Sequence, residues 1–149
     1  MPVIVSIISL VLILAPAVTT ADESQALLFT KISERLSLMK AVAADKWLTG
    51  KAIEDKNREA TVLQQSSYTG LKSGITVASN EGFYSAQISA AKSIQHYWFN
   101  YWRGHTAPLQ ADSLVDVIRP KLIALGDDIV GLLKTPVTEQ HRGQFLKLT

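Results

Sequence analysis

The chain has 149 residues, of which 47% are hydrophobic, and its formal net charge is +2 at pH 7. This is enough for one domain with a hydrophobic core and too little for two domains of ordinary size. The small net charge gives no basis for nucleic-acid binding, and the absence of cysteine excludes disulfides, thiolate metal sites and a cysteine nucleophile.

The first segment of the chain predicts a signal peptide. Residues 3–14 are apolar apart from two serines, and the first charged side chain is that of Asp22. The run is shorter than the roughly 20 residues that span a bilayer, so we favour a cleaved signal over a permanent anchor. We expect cleavage after Ala21, with Ala17 as the alternative site. This leaves 22–149 as an exported domain, periplasmic or secreted, with no membrane attachment.

A long first helix is predicted from Ser24 to Gly50. Ser24 can cap its start, and Gly50 offers a C-cap. Apolar residues recur through the segment at helical spacing. They are Leu27, Leu28, Phe29, Ile32, Leu36, Met39, Val42, Ala43 and Trp47.

One stripe of this helix carries two cations on either side of two apolar residues. Positions spaced four, three and four apart share one helix face, and that spacing holds for Arg35, Met39, Val42 and Lys46. Arg35 and Lys46 lie roughly 16 Å apart along the axis, and their long side chains can lean inward over the apolar residues between them. The stripe therefore predicts a site for a small, elongated anion.

A second helix is predicted from about Glu54 to Ser67. Asp55, Arg58 and Glu59 lie at positions i, i+3 and i+4 on one of its faces, and its acidic first turn suits the helix dipole. Arg58 brings a third cation to the site. The glycines and β-branched residues of 70–76 indicate a linker after this helix.

The third helix is predicted from Glu81 to about Arg103, with Asn80 as its cap. It is rich in aromatic residues, which are Phe83, Tyr84, Tyr97, Trp98, Phe99, Tyr101 and Trp102. Since only Lys92 and Arg103 are near, the cluster favours a hydrophobic core over a stacking platform for single-stranded nucleic acid. No metal site is predicted, because metal-ligand spacing is missing among the histidines His96, His105 and His141.

A kinked fourth helix is predicted around Pro120. One helical phase continues across the proline through Leu114, Ile118, Leu122, Leu125 and Ile129. Residues 134–136 end this helix, and residues from Thr138 onwards can begin a short last one. An alternating strand pattern persists nowhere, so the predicted fold class is all-α, with about four main helices.

Taken together, these motifs resemble the all-α chorismate mutases, specifically the secreted form, over roughly 24–133. The motifs occur in the family's order as Glu34-Arg35-Leu36, Met39-Lys40, Val42-Ala43, Lys46-Trp47, Ile53-Glu54-Asp55, Arg58-Glu59 and Ala86-Gln87-Ile88 through Ile94-Gln95. The resemblance implies the helical chorismate mutase fold and a Claisen rearrangement of chorismate to prephenate. It implies no cofactor, because the reaction needs only a substrate held in its folded conformer and stabilisation of the charge on the breaking ether oxygen.

The resemblance also implies a catalytic set of four residues. Arg35 and Arg58 would hold carboxylate groups of the substrate, with Arg35 also near the ether. Lys46 and Gln95 would donate hydrogen bonds to the ether oxygen. Ordinary surface charge is the competing interpretation for each residue taken alone.

Further substrate contacts are implied beside this set. Asp55 or Glu59 would receive the C4 hydroxyl of the substrate or orient Lys46. Arg119 is our candidate for the remaining carboxylate clamp, with a solvent-exposed arginine before a kink as the equal alternative. Ala91 replaces the serine or threonine that some relatives carry. The pocket lining is predicted to include Met39, Val42, Val62 and Ala91.

Two other functions remain open. An isochorismate pyruvate lyase shares the fold and the cationic pocket, although the motifs around Asp55 and Arg58 favour the mutase. A non-catalytic secreted helical binding protein would keep the pocket only as a relic, which the intact Lys46 and Gln95 pair disfavours. The expected partner is chorismate, with no nucleic acid. In intracellular relatives an arginine of the partner subunit completes the site, whereas the secreted form supplies one from later in its own chain. A homodimer stays open.

Overall fold

The computed structural model describes residues 21–133, apart from the side chains of Ala21 and Asp22. The predicted signal segment up to residue 20 and the tail from residue 134, with His141 and the expected last helix, lie outside the described residues. The described elements are α1 (Ala21–Ser37), α2 (Met39–Thr49), α3 (Lys56–Lys72), α4 (Val77–Gly104), a π-helix (Leu114–Ile118) and α5 (Arg119–Leu132). This part of the chain contains no strand, and the predicted all-α class is confirmed.

The predicted long first helix is present as α1 and α2, which are separated only by Leu38. Leu38 keeps right-handed helical angles (φ −68°, ψ −13°), and its carbonyl accepts from Val42 N at 3.0 Å. Ser24 lies inside α1, so it is not the cap that we expected. Gly50 ends α2 as predicted, because its φ of +66° is open to glycine and strained for most other residues.

Asp55 begins α3 by accepting a hydrogen bond from Arg58 N at 3.0 Å. The helix then continues past the predicted end at Ser67 to Lys72. This extension keeps Gly70 within the helix, where it packs against α4.

The predicted cap of the third helix is wrong. Thr76 caps α4, with its side chain accepting from Ser79 N at 3.3 Å. Asn80 is instead 1% exposed, and its Nδ2 donates to Ser66 Oγ at 3.1 Å. Gly70 makes room for it, because a Cβ there would lie 3.1 Å from the side chain of Asn80. Asn80 therefore fastens α3 to α4 instead of ending a helix.

The helices pack so that α1 contacts α5, α2 contacts α4, and α3 contacts both α4 and α5. The aromatic part of the core lies between α2 and α4, where Trp47 meets Phe99 edge to face with ring centroids 5.2 Å apart. Trp102 is also buried there. Two of the aromatic residues that we expected in the core, Tyr97 and Tyr101, are exposed.

The predicted kink of the fourth helix is a π-helical turn before Pro120. Ile118 N donates to Ser113 O at 3.1 Å, a five-residue step that widens the turn. Pro120 then lies in the first turn of α5, where no backbone N–H is needed. Asp45 Oδ1 accepts from Leu114 N at 3.1 Å and ties this turn to α2. Within 21–133 no helix is long and apolar enough to cross a membrane.

Candidate active site

A single pocket collects every site residue that the sequence predicts. Its walls come from all the helices, and the cavity has a volume of about 180 Å³, which suits a small ligand. The predicted residues that line it are Arg35, Met39, Val42, Lys46, Asp55, Arg58, Glu59, Val62, Ala91, Gln95 and Arg119.

Four cations from four different helices converge on this pocket: Arg35, Lys46, Arg58 and Arg119. Burial lowers the pKa of Arg35, which is 8% exposed, and the charge of Arg58 lowers it further. Burial and then the charge of Arg119 lower the pKa of Arg58 in the same way. The mutual repulsion shows that the cations lie within electrostatic reach of one another.

No carboxylate in residues 21–133 neutralises these cations by a direct ion pair. The cations that form ion pairs in that range are Lys31 and Lys92 alone. Arg35 Nε is also buried without a hydrogen-bond partner there. Because a buried charge costs free energy unless it is paired, a pocket of this kind is stabilised by an anionic ligand.

Lys46 is 9% exposed, and its Nζ donates to the carbonyl oxygen of Ile53 in the loop before α3. Burial lowers the pKa of Lys46 below its ordinary value. The carboxylates of Asp55 and Glu59 act in the opposite direction and favour the charged form. Asp55 and Glu59 line the same pocket as Lys46.

Gln95 is 4% exposed and lies deep in the pocket. Its Nε2 donates to the carbonyl of Ala91 at 3.1 Å, and its second contact is the weak acceptor Met39 Sδ at 3.8 Å. An amide nitrogen carries two hydrogens, so one of them can turn from the sulfur to a ligand oxygen.

Several pocket residues were missed in the sequence. The most informative are Tyr84, whose hydroxyl donates to Gly126 O at 3.0 Å, and Lys92, which reaches across from α4 to α3. Burial raises the pKa of Tyr84 to about 12. We had expected Tyr84 in the aromatic core. Helical spacing already puts Lys92 on the same face of α4 as Gln95, although we gave it no role in the site. The others are Ile53, Gln65, Ser66, Thr69, Ile88, Leu114, Leu122, Ile123, Gly126, Asp127 and Val130.

The histidines of the described range belong to no group of side chains that could bind a metal ion. Across 21–133 no group of three His, Cys, Asp or Glu side chains could hold a metal ion. His105 Nδ1 instead lies 2.9 Å from Tyr101 O, and its ring stacks on that tyrosine.

The fold and site define a helical protein with a buried cationic pocket for a small anion, and known proteins share this architecture. A chorismate mutase from Burkholderia thailandensis superposes with a TM-score of 0.77 at 28% identity, covering 83% of this chain and 82% of that one. A chorismate mutase from Burkholderia phymatum gives 0.75 at 27% identity, covering 86% of each chain. The chain therefore has the chorismate mutase fold.

The amino-acid sequence of the chain is also similar to those of chorismate mutases. A monofunctional chorismate mutase of Enterobacter agglomerans is 36% identical over 75 residues, which are 50% of this chain and 41% of the relative. A secreted chorismate mutase of Yersinia pestis is 31% identical over 109 residues, which are 73% of this chain and 54% of the relative. The chain thus spans about half the length of these curated relatives. No protein-family model matches it.

Proposed function

We propose that the protein is a chorismate mutase, which converts chorismate to prephenate. The observation that supports this most is the set of four cations around one small pocket, without direct ion pairs among residues 21–133. The similarity to chorismate mutases in both sequence and structure agrees with it.

The charge of the pocket matches the charge of this substrate. Chorismate carries two carboxylates, one hydroxyl and an enolpyruvyl ether. Arg35, Arg58 and Arg119 would bind the carboxylates, because a guanidinium presents paired donors in the geometry that a carboxylate accepts. Holding both carboxylates selects the folded conformer, in which the two reacting carbon atoms lie close together.

Lys46 and Gln95 would act on the ether oxygen. Negative charge grows on this oxygen as the C–O bond breaks, so fixed donors stabilise the transition state more than the ground state. The hydrogen bond from Lys46 to Ile53 O and the carboxylates near it orient the ammonium group and keep it charged. Even a millionfold acceleration needs only about 8 kcal/mol, which positioning and two such donors can supply together.

Arg119 would complete the site within a single chain. It follows directly after the π-helical turn, lines the pocket and lowers the pKa of Arg58 by repulsion. From the sequence alone, a carboxylate clamp and a solvent-exposed arginine before a kink were equal alternatives for this residue. With the arginine supplied in cis, the site needs no residue from a partner, whether the protein is a monomer or a homodimer.

We also propose that 1–21 is a signal peptide and that 22–149 works after export. The apolar run of 3–14 supports this, as does the similarity to a secreted enzyme of Yersinia pestis. Expression with a C-terminal tag, fractionation of the cells and N-terminal sequencing of the product test it. A new N-terminus at Asp22 or Val18 in the exported fraction is expected, whereas retention of Met1 in the cytosol would contradict export.

The activity is tested by incubating the purified protein separately with chorismate and with isochorismate and identifying the products by NMR. We expect prephenate from chorismate. Pyruvate released from isochorismate, with chorismate left intact, would instead assign the protein as a lyase. No turnover of either compound would support the non-catalytic binding protein.

A further inference from the structure

Lys92 joins two acidic residues at the edge of the pocket. Its Nζ lies 3.1 Å from Glu59 Oε2 and 3.3 Å from Glu54 Oε1. Lys92 and Glu59 both line the pocket, whereas Glu54 does not. The side chain of Glu59 is 25% exposed and that of Glu54 is 58% exposed, so only the first of the two ion pairs is substantially shielded from water.

Glu59 interacts with two lysines, one by direct contact and the other through its charge. Lys92 contacts one carboxylate oxygen, Oε2, from α4. The same carboxylate favours the charged form of Lys46, which lines the pocket from α2. Among the described residues Oε1 accepts no hydrogen bond, which leaves it available to a ligand.

We propose that Lys92 is a positioning residue that holds Glu59 in place to accept a hydrogen bond from the hydroxyl group of the substrate. This inference rests on the proposed chorismate mutase activity. A glutamate side chain loses considerable rotamer freedom when it is fixed, and an ion pair formed before binding removes that cost from the binding step.

The proposal predicts which kinetic constant changes. A hydroxyl contact is made in both the ground state and the transition state, so its loss weakens binding uniformly and raises KM with little change in kcat. Damage to the fold would instead reduce the fraction of active enzyme and lower kcat. Because partly exposed ion pairs contribute little to folding, we expect the variants to keep the melting temperature of the wild type within a few degrees.

The experiment compares KM and kcat for chorismate in Lys92→Gln, Lys92→Arg, Glu59→Gln and the double variant Lys92→Gln/Glu59→Gln. We expect Lys92→Gln to raise KM about tenfold, because part of a charge-assisted hydrogen bond is lost. Lys92→Arg keeps a donor to Glu59 and should restore KM to within about threefold. In the Glu59→Gln background, Lys92→Gln should change KM less than about twofold, because the residue through which it acts is gone.

Glu54→Gln is the matched control, since it removes the other acidic partner of Lys92 on the solvent side. We expect its KM to stay within about twofold of the wild type. Equal KM for Lys92→Gln and wild type would overturn the proposal, as would the same KM increase in the presence and absence of Glu59. If Lys92→Gln does not fold, the same comparison made with Lys92→Met decides in its place. A wild-type protein without mutase activity would refute the proposed function itself, which is a different result.

Discussion

Lys46→Met removes one of the two proposed donors to the ether oxygen and keeps a flexible side chain of similar shape. Loss of one fixed donor to a developing oxyanion costs about 10²–10³ in kcat, or about 2.7–4 kcal/mol. Lys46 is 9% exposed and hydrogen-bonded to Ile53, so it acts from a fixed position that is largely shielded from water. We therefore expect a loss of kcat of at least about a hundredfold.

The same substitution should leave the fold intact, because burying the charged form of Lys46 costs free energy in the folded state. Burial lowers this pKa in the folded state, so the unfolded chain binds the proton more tightly. The charged lysine therefore destabilises the fold at neutral pH, and stability rises as pH climbs from the lowered folded pKa towards the ordinary value of 10.5. Lys46→Met should melt no lower than the wild type at pH 7. Its stability should also lack the rise with pH that the titration of Lys46 gives to the wild type.

The assay is the initial rate of chorismate consumption over a range of concentrations, with melting followed by circular dichroism. Lys51→Met is the matched control, because Lys51 is an exposed lysine just beyond Gly50. Its kcat should equal that of the wild type. A kcat for Lys46→Met within about threefold of the wild type, with an intact fold, would refute the role of Lys46 in catalysis.

Three further predictions concern other residues of the pocket and the packing around it. Arg119→Ala should raise KM for chorismate by about tenfold or more through loss of a charged hydrogen bond. An unchanged KM would show that Arg119 does not bind the substrate. Wild-type turnover should be nearly flat between about pH 5 and 8. Gln95→Glu should instead lose activity as pH rises, because only a protonated carboxyl group can donate to the ether oxygen. A flat pH profile for Gln95→Glu would exclude Gln95 as a donor to the ether oxygen. Gly70→Ala should destabilise the protein by about 1 kcal/mol net, because its Cβ would meet the buried, hydrogen-bonded side chain of Asn80 at 3.1 Å. The overpacking cost of about 1–3 kcal/mol is partly offset by the better helix propensity of alanine, about 1 kcal/mol. A melting temperature equal to or above that of the wild type would contradict this packing.

The helices and the cationic stripe were predictable because they depend on local spacing. The continuous apolar phase of α1 and α2 and the αL conformation of Gly50 are both decided within a few residues of chain. Asp55, which we had placed in the first turn of the second helix, is its N-cap. Helical periodicity likewise fixes which residues share a face. It therefore also placed Arg35 and Lys46 on the same side as Met39 and Val42.

The errors arose where tertiary contacts override local preference. Asn80 is a good helix cap by residue type, yet its amide is buried against Ser66 of α3, and Thr76 caps α4 instead. Lys92 had no predicted role in the site, because its ion pair with Glu59 joins residues 33 positions apart. Arg119 stayed undecided, because its direction depends on the π-helical turn that Asp45 ties to α2.

The most direct test of the account is the affinity of the protein for a rigid bicyclic dicarboxylate whose ether bridge imitates the folded transition state. If the pocket stabilises that state, calorimetry should show binding at least about a hundredfold tighter than the KM for chorismate. The affinity should fall in Lys46→Met, which lacks the donor to the ether oxygen. Binding no tighter than that of chorismate, or equal binding by Lys46→Met and wild type, would contradict the claim that this cationic pocket catalyses the rearrangement.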